Sequence, residues 1–294
     1  MKIFNENLER ITILHMAGKT TMPEFKTIIE GQKKNLIIKD DSISIIIIAT
    51  KNYIKDSPVI NQLKFNNIRY YNGAQELDEE GWSNSMKIDL ILNNLKKIKT
   101  EYTLILDARD VLICDHLNKT FINKFKKLNT KILFNASSSR YPSWINIKAV
   151  DTKYKNNLQS KPFLNAGVCF GETKALHAMY QAASEISKKY SQLNKSEQFI
   201  LKLAISANNL TSVVSLDNED KLFKCVHQSI DKPDFLVIRE SGNYVIKNIR
   251  NYQYKTSRYK KKIKLKIEKA KLILYPNSKG HEEEVKTFID KIRK

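Results

Sequence analysis

The sequence has 294 residues and a mass of 34.1 kDa, enough for one large domain or two small ones with a substantial buried core. Hydrophobic residues make up 41% of the chain and charged residues 28%, with only 8 glycines and 6 prolines, so collagen-like, coiled-coil and low-complexity proteins are excluded. Its three cysteines, Cys114, Cys169 and Cys225, lie far apart, which argues against a disulfide framework or a cysteine-based zinc site.

The formal net charge of +20 is concentrated toward the C-terminal end. Residues 251–294 contain 14 Lys or Arg and 5 acidic residues, so nearly half of the excess lies in the last sixth of the chain. Such a region can meet nucleic acid, anionic lipid or an acidic ligand. It can equally be a solvated face in a chain rich in Lys, Ile and Asn, so charge alone does not choose a partner.

The first half of the sequence predicts a short helix and then alternating strands and helices. Residues 1–41 read as an N-terminal extension with one helix near Phe25–Gln32. The β-branched run 43–49 is apolar on both faces, as in a buried parallel strand. Apolar residues between Ile88 and Ile98 recur at helical spacing and lead into a second apolar strand over 102–106.

The second half repeats this alternation and ends with an antiparallel pair. We expect strands at 131–134, 163–170 and 211–216, helices at 176–190 and 196–207, and a hairpin joining 235–238 to 244–246. A last apolar run covers 271–275, and the tract 260–268 fits an edge strand or a basic helix equally well. The predicted class is α/β, with a mixed, mostly parallel sheet and helices on both faces.

Two carboxylates follow the second predicted strand, in the run Leu106-Asp107-Ala108-Arg109-Asp110. Ligands of α/β sheets bind at the carboxyl ends of strands, and this pair could hold one hard cation such as Mn²⁺ or Mg²⁺. Such a cation stabilises a departing nucleoside diphosphate, which is what a nucleotide-sugar transferase needs. Helix caps or turns are the structural alternative. A phosphatase of the haloacid dehalogenase type needs two aspartates in the pattern D-x-D, one residue closer than Asp107 and Asp110 are, so this spacing argues against that class of enzyme.

Six segments carry motifs in a fixed order. They read I-A-T at 48–50, L-I-L-D-A-R-D-V at 104–111, I-L-F-N-A at 132–136 followed by R-Y-P at 140–142, L-N-A-G-V-C-F-G at 164–171, S-E-Q at 196–198, and L-D at 216–217 followed by L-F at 222–223. This order resembles the glycosyltransferase domain of the lysyl hydroxylase and procollagen glycosyltransferase family, a GT-A (Rossmann-like) fold. The family's motifs are V-A-T, F-x-D-S-Y-D-V, L-F-S-A-E with C-W-P, Y-L-N-S-G-G-F-I-G, D-D-Q, and L-D with I-F-Q-N.

The resemblance implies a role for each matching residue. The metal ligands would be Asp107 and Asp110. The residues around the donor would be Thr50 beside the nucleotide, Lys87 near a phosphate or the donor sugar, Asp107, Asn165 and Gly167 in the donor pocket, and Lys279 near a phosphate. Glu197 would be the catalytic carboxylate near the reacting sugar.

The chain departs from the family's pattern at three places. The stretch G-W-S-N-S at 81–85 replaces the glycine-rich stretch before Lys87, and Ser196 replaces the first acid of D-D-Q. The family's metal-binding histidine, in H-G-N-G, has no match in Y-P-N-S-K-G-H at 275–281, where Asn277, His281 or water would have to complete the shell. A weaker site or a preference for Mg²⁺ is consistent with that loss. His15 shares no ligand spacing and reads as a packed or surface histidine.

These observations predict an N-terminal extension at 1–41, a GT-A glycosyltransferase domain at 42–280 and a basic C-terminal helix or tail at 281–294. The resemblance implies transfer of glucose or galactose from a UDP-sugar to a hydroxyl of a glycan or of a hydroxylysine-type protein acceptor, dependent on Mn²⁺ or Mg²⁺. The alternatives are a metal-dependent phosphohydrolase or nucleotidyltransferase, or a basic nucleic-acid-binding protein.

The sequence also suggests where the protein acts. Charged residues interrupt the first 19 positions, and no apolar run approaches the roughly 20 residues that span a bilayer. We therefore expect no signal peptide, no transmembrane helix and a cytoplasmic location. The sequence lacks the aromatic and basic motif of a recognised nucleic-acid-binding module, so we also expect no specific nucleic-acid partner. The basic C-terminal region is a candidate for peripheral contact with an anionic membrane.

Overall fold

The computed structural model of the chain describes residues 2–4, 10–17, 23–78, 82–137, 163–189, 196–226, 235–240 and 243–248. The strands in this part of the chain are β1 Ile3–Phe4, β2 Ile13–His15, β3 Ile43–Ile48, β4 Tyr102–Asp107, β5 Val111–Ile113, β6 Ile132–Ser137, β7 Phe163–Glu172, β8 Val214–Asp217, β9 Phe223–Cys225, β10 Phe235–Glu240 and β11 Asn243–Asn248. The helices are α1 Pro23–Gln32, α2 Lys51–Asp56, α3 Pro58–Phe65, α4 Met86–Leu95, α5 Lys119–Lys126, α6 Thr173–Lys189 and α7 Glu197–Ala207.

A five-stranded sheet in the order β3-β4-β7-β6-β8 forms the centre of the described fold. β3 and β4 are parallel, as are β6 and β8, whereas β7 runs antiparallel to both of its neighbours. Four strands therefore share one direction and β7 opposes them. This arrangement confirms the predicted mixed, mostly parallel sheet.

Helices cover both faces of this sheet because successive strand residues point to opposite sides. Ile46 and Ile105 pack on one face with apolar residues of α4, α6 and α7. Ile45 and Leu104 pack on the other face with apolar residues of α3 and α5. Burying both faces explains why β3 reads as a continuous apolar run instead of an alternating one. The predicted α/β class is confirmed.

The N-terminal residues contribute strands to two smaller sheets. β2 lies between β5, to which it is antiparallel, and β9, to which it is parallel. β1 pairs in parallel with β11, which in turn pairs antiparallel with β10 as the predicted hairpin requires. A third apolar cluster joins this segment to α1 through Leu14, Met16 and Phe25. Part of the predicted extension is therefore packed against β5 and β9.

The structure differs from the sequence predictions at short elements. The strand expected from Thr211 begins only at Val214, because a 3-10 helix, Leu210–Ser212, follows Asn209 in the left-handed conformation with φ 52°. The predictions also omitted the short strands β1, β2, β5 and β9 and the helices α2, α3 and α5. The predicted run at 271–275 and the basic tract at 260–268 lie outside the described residues. No helix in the described part of the chain is long and apolar enough to cross a bilayer.

Candidate active site

Most of the predicted site residues in the described chain meet at one edge of the central sheet. Thr50 follows β3, Asp107 ends β4, and the register pairs Ile48 with Asp107. Because β7 runs in the opposite direction, its first half lies at the same edge, with Val168 beside Leu106. The N-termini of α4 and α7 bring two more side chains, Lys87 and Glu197, which share a contact described below.

The loop after β4 is fixed by contacts from two other segments. The Ser57 hydroxyl donates to the carbonyl of Ala108 at 2.5 Å, and the same oxygen accepts the backbone N–H of Ile60 to cap α3. The backbone N–H of Met16 donates to the carbonyl of Asp110 at 2.7 Å. The two carboxylates of this loop are therefore presented by a held backbone.

His15 lies beside these carboxylates, where no sequence motif predicts it. Its Nε2 is 3.3 Å from Asp110 Oδ1, and only 3% of the residue is exposed. Burial disfavours the imidazolium, but Asp110 and Cys225 outweigh it and raise the pKa of His15 well above its ordinary value. On the other side of the ring, Nδ1 is 3.3 Å from the Asn135 side-chain nitrogen and 3.7 Å from Cys225 Sγ.

Three groups that can bind a metal ion therefore converge. One ligand atom each from His15, Asp107 and Asp110 lies within 4.8 Å of the other two. Two carboxylate oxygens and an imidazole nitrogen form a donor set suited to a divalent transition metal such as Mn²⁺. The residues present thus fit the ion that the resemblance implies, and His15 adds an imidazole to the two aspartates.

Gly167 is required by His15. A Cβ at this position would lie 2.7 Å from His15 Nε2 and 2.8 Å from Nδ1, closer than a Cβ comes to any atom to which it is not bonded. Its backbone N–H donates to Asn165 Oδ1 at 2.9 Å, which holds the start of β7. The structure therefore gives this glycine a packing role against the imidazole, beside the donor-pocket role that the resemblance implies.

Lys87 connects Asp107 to Glu197. Its ammonium contacts Asp107 Oδ1 and lies 3.5 Å from Glu197 Oε2. Burial disfavours the ammonium, but Asp107 and Glu197 outweigh it and raise the pKa of Lys87. Burial raises the pKa of Glu197 to about 7, with Asp107 adding to the rise and Lys87 opposing it. Glu197 also accepts a hydrogen bond of 3.4 Å from the Tyr180 hydroxyl.

Ser196, which replaces the family's first acid, is the N-cap of α7. Its hydroxyl accepts the backbone N–H of Phe199 at 3.4 Å. The next two residues face inward, and Gln198 accepts the backbone N–H of Ala166 at 3.0 Å. This cap and bridge fix the start of the helix against β7, which positions Glu197.

Thr50 lies where β3 ends, as predicted. It is 1% exposed, and among the described residues its Oγ1 has no hydrogen-bond partner. The side chain of Asn72 bonds both the N–H and the carbonyl of Ala49, which holds this strand end. Lys279, the remaining predicted site residue, lies outside the described residues, as do Asn277 and His281.

The candidate metal ligand that the sequence does not predict is His15. The signal present was a histidine inside a short apolar run, Ile13-Leu14-His15-Met16. That run alone does not distinguish a packed histidine from a ligand. Only the pairing of β2 with β5, in which His15 faces Val111 next to Asp110, brings the imidazole to the carboxylates.

Solved structures with detectable similarity have low identity to this chain. A glycosyltransferase involved in the glycosylation of the major capsid of PBCV-1 is 13% identical, with a TM-score of 0.36 over 60% of this chain and 82% of its own. Mannosyl-3-phosphoglycerate synthase from Rubrobacter xylanophilus is 10% identical, with a TM-score of 0.31 over 79% and 90%. TM-scores this low carry no argument about the chain.

No curated protein matches the chain in sequence. A family model gives stronger evidence. The family model described as the PLOD GT domain matches residues 39–259, about three quarters of the 294 residues. The matched range contains Asp107, Asp110 and Glu197, whereas His15 lies before it. The chain therefore belongs to the family of PLOD GT domains, the glycosyltransferase domains of the lysyl hydroxylase and procollagen glycosyltransferase family, and it is a glycosyltransferase with a mixed α/β fold.

Proposed function

We propose that this glycosyltransferase moves a hexose, glucose or galactose, from a UDP-sugar to an acceptor hydroxyl, with Mn²⁺ held by Asp107, Asp110 and His15. The observation that carries the metal assignment is the convergence of these three side chains at the carboxyl end of β4. An imidazole among the ligands favours Mn²⁺ over Mg²⁺, because Mg²⁺ prefers an all-oxygen shell. The donor sugar and a glycan or hydroxylysine-type acceptor rest on family membership.

We assign the residues at this edge of the sheet different roles in donor binding. A bound divalent cation would neutralise the diphosphate as the bond between the sugar C1 and the diphosphate oxygen breaks and the electron pair leaves with UDP. Thr50, at the end of β3 with its hydroxyl free of partners among the described residues, supports contact with the nucleotide. Asn165 and Gly167 line the start of β7. Lys87 and Lys279 are the cations we assign to phosphate or sugar.

Glu197 is the residue that we assign to catalysis. The acceptor oxygen loses its proton as it bonds to the sugar C1. A carboxylate close to the donor can receive that proton or stabilise the positive charge that develops on the sugar. Glu197 is 6% exposed and pairs with Lys87 beside Asp107. A pKa of about 7 lets this carboxyl take up or release a proton near neutral pH.

Calorimetric titration of UDP into the chain, with and without Mn²⁺, tests the metal and the nucleotide together. We expect binding that depends on Mn²⁺ and that is lost in Asp110→Asn and in His15→Ala. Asp41→Asn is the matched control, because Asp41 is exposed and precedes the start of β3, at the end of that strand away from the candidate site. Unchanged affinity in the Asp110 and His15 variants would contradict the metal assignment.

Product analysis separates transfer from the other reactions that a metal-bound carboxylate pair supports. Incubation with UDP-glucose or UDP-galactose and a panel of hydroxyl acceptors should release UDP in step with glycosylated acceptor. Release of inorganic phosphate or pyrophosphate instead would overturn the proposed reaction.

A further inference from the structure

Lys87 contacts a carboxylate that a bound metal ion would also need. It is the second residue of α4, its side chain is 16% exposed, and its ammonium contacts Asp107 Oδ1. The same Asp107 belongs to the three residues whose ligand atoms converge within 4.8 Å. One carboxylate is therefore shared between an internal cation and the candidate metal site.

The Asp107 carboxylate cannot bind a divalent metal ion and pair fully with the Lys87 ammonium at the same time. A divalent ion bound by Asp107, Asp110 and His15 would lie close to the Lys87 ammonium, and like charges repel strongly in a partly buried site. In the metal-free protein the ammonium instead neutralises Asp107 and, at 3.5 Å, Glu197. Lysine has a flexible four-carbon stem, so its charge can move without displacing the backbone of α4.

We propose that Lys87 is an exchanging counter-ion, which neutralises Asp107 in the metal-free site and is released toward the donor diphosphate when the divalent metal binds. This inference rests on the proposed function, because it requires the metal and the diphosphate to bind at this edge of the sheet. Its consequence is that metal and nucleotide assist each other. The metal frees Lys87 to meet the phosphates, and the phosphates keep Lys87 away from Asp107.

Mn²⁺ binding measured without nucleotide, by calorimetry and by the paramagnetic resonance of the free ion, tests this competition. Lys87→Met keeps the length of the side chain and removes the charge. We expect this variant to bind Mn²⁺ alone roughly tenfold more tightly than the wild type, and UDP to improve its Mn²⁺ affinity much less. Lys51→Met is the matched control, since Lys51 is an exposed lysine at the same edge of the sheet, directly after Thr50.

Equal or weaker Mn²⁺ affinity in a folded Lys87→Met variant overturns the proposal, while Mn²⁺-dependent UDP binding by the wild type leaves the proposed function standing. A wild-type chain that binds no Mn²⁺ overturns both. If the variant does not fold, acetylation of lysines in the wild type, read by mass spectrometry, replaces it. Labelling of Lys87 should rise on addition of Mn²⁺ and fall again when UDP follows, and labelling that Mn²⁺ leaves unchanged overturns the exchange.

Discussion

Gly167 has no room for a side chain, because the imidazole of His15 occupies the space where a Cβ would be. We expect Gly167→Ala to displace His15 and to weaken Mn²⁺ binding as strongly as His15→Ala does. Overpacking of this kind also costs about 1 to 3 kcal/mol of unfolding free energy. Metal titration and chemical denaturation of the same protein measure the two effects.

Gly73→Ala is the control for the glycine substitution itself. The nearest atoms to a Cβ at Gly73 belong to the side chains of Asn94 and Leu90, at 3.3 Å, and these need to shift by only a few tenths of an ångström. This variant should keep its Mn²⁺ affinity. If Gly167→Ala also keeps it, His15 is not a ligand or does not depend on this packing.

Glu197 should make stability depend on pH in the metal-free protein. Burial, assisted by Asp107 and opposed by Lys87, raises the pKa of Glu197 from 4.5 to about 7. Folding therefore favours the protonated carboxyl. The associated stability is fully present below about pH 4.5 and is lost as pH rises through 7. Relative to Glu197→Gln, the wild type should lose on the order of 3 kcal/mol across this range, measured by urea denaturation.

The same comparison with Glu185→Gln shows whether that dependence belongs to the buried carboxyl, since Glu185 is exposed on α6 and bonded to Gln181. A difference between wild type and Glu197→Gln that stays constant over this pH range would mean that Glu197 is ionised throughout.

Single residues were predictable from the sequence where their chemistry follows from a strand end. Asp107 and Asp110 directly follow an apolar run, so their place at the sheet edge could be inferred. His15 could not be, because its neighbours are set by the pairing of β2 with β5 across about 100 residues. The contact between Lys87 and Glu197 likewise needs the packing of α4 near α7, which no local pattern encodes.

The turn between β8 and β9 depends on Asp217. Its carboxylate accepts the backbone N–H groups of Lys221, Leu222 and Phe223 at 2.7 to 2.9 Å, and the residue is 3% exposed. Asp217→Asn replaces one acceptor oxygen by a donor and leaves buried N–H groups unpaired. We expect a loss of about 2 to 4 kcal/mol in unfolding free energy, measured by urea denaturation.

Glu219→Gln is the control within the same turn. Glu219 pairs with Lys221 at 2.7 Å, but both side chains are about half exposed, so the pair should contribute less than about 1 kcal/mol. A similarly small loss in Asp217→Asn would show that water replaces the carboxylate in this turn.

The longer buried strands were predictable from the sequence, whereas the three-residue strands and the helices α3 and α5 were not. β3, β4 and β7 are buried strands of 6 to 10 residues, and their apolar runs place them within a residue or two. β2, β5 and β9 have three residues each, too few for a period to emerge. Tertiary pairing determines these strands, so the sheet that carries His15 was not visible in the sequence.

At the scale of the whole molecule, the range matched by the family is not sufficient for the candidate site. Residues 39–259 include Asp107 and Asp110, the two candidate metal ligands, but lack β2 and therefore His15. We expect a truncated chain of these residues to lose Mn²⁺ binding in calorimetry. It should also aggregate more readily, because removing β2 exposes the edges of β5 and β9.

Full-length His15→Gln separates the two losses, since it keeps the strand and removes the imidazole. It should remain monodisperse in size-exclusion chromatography while binding Mn²⁺ weakly. Mn²⁺ affinity of the truncated chain equal to that of the full chain would mean that β2 contributes nothing to the site.

The position of β2 between β5 and β9 also bears on the order of folding. His15 and Cys225 are in contact although they are separated by 210 residues, and contacts of such high sequence separation form late. During synthesis β2 leaves the ribosome long before β9, so it has no β9 to pair with until residue 225 has been made. Pairing of β2 with β5 can bring the imidazole to Asp110 once residue 113 has been made, whereas β9 closes the other side of His15 only after residue 225, so we expect full metal affinity to be a marker of completed folding.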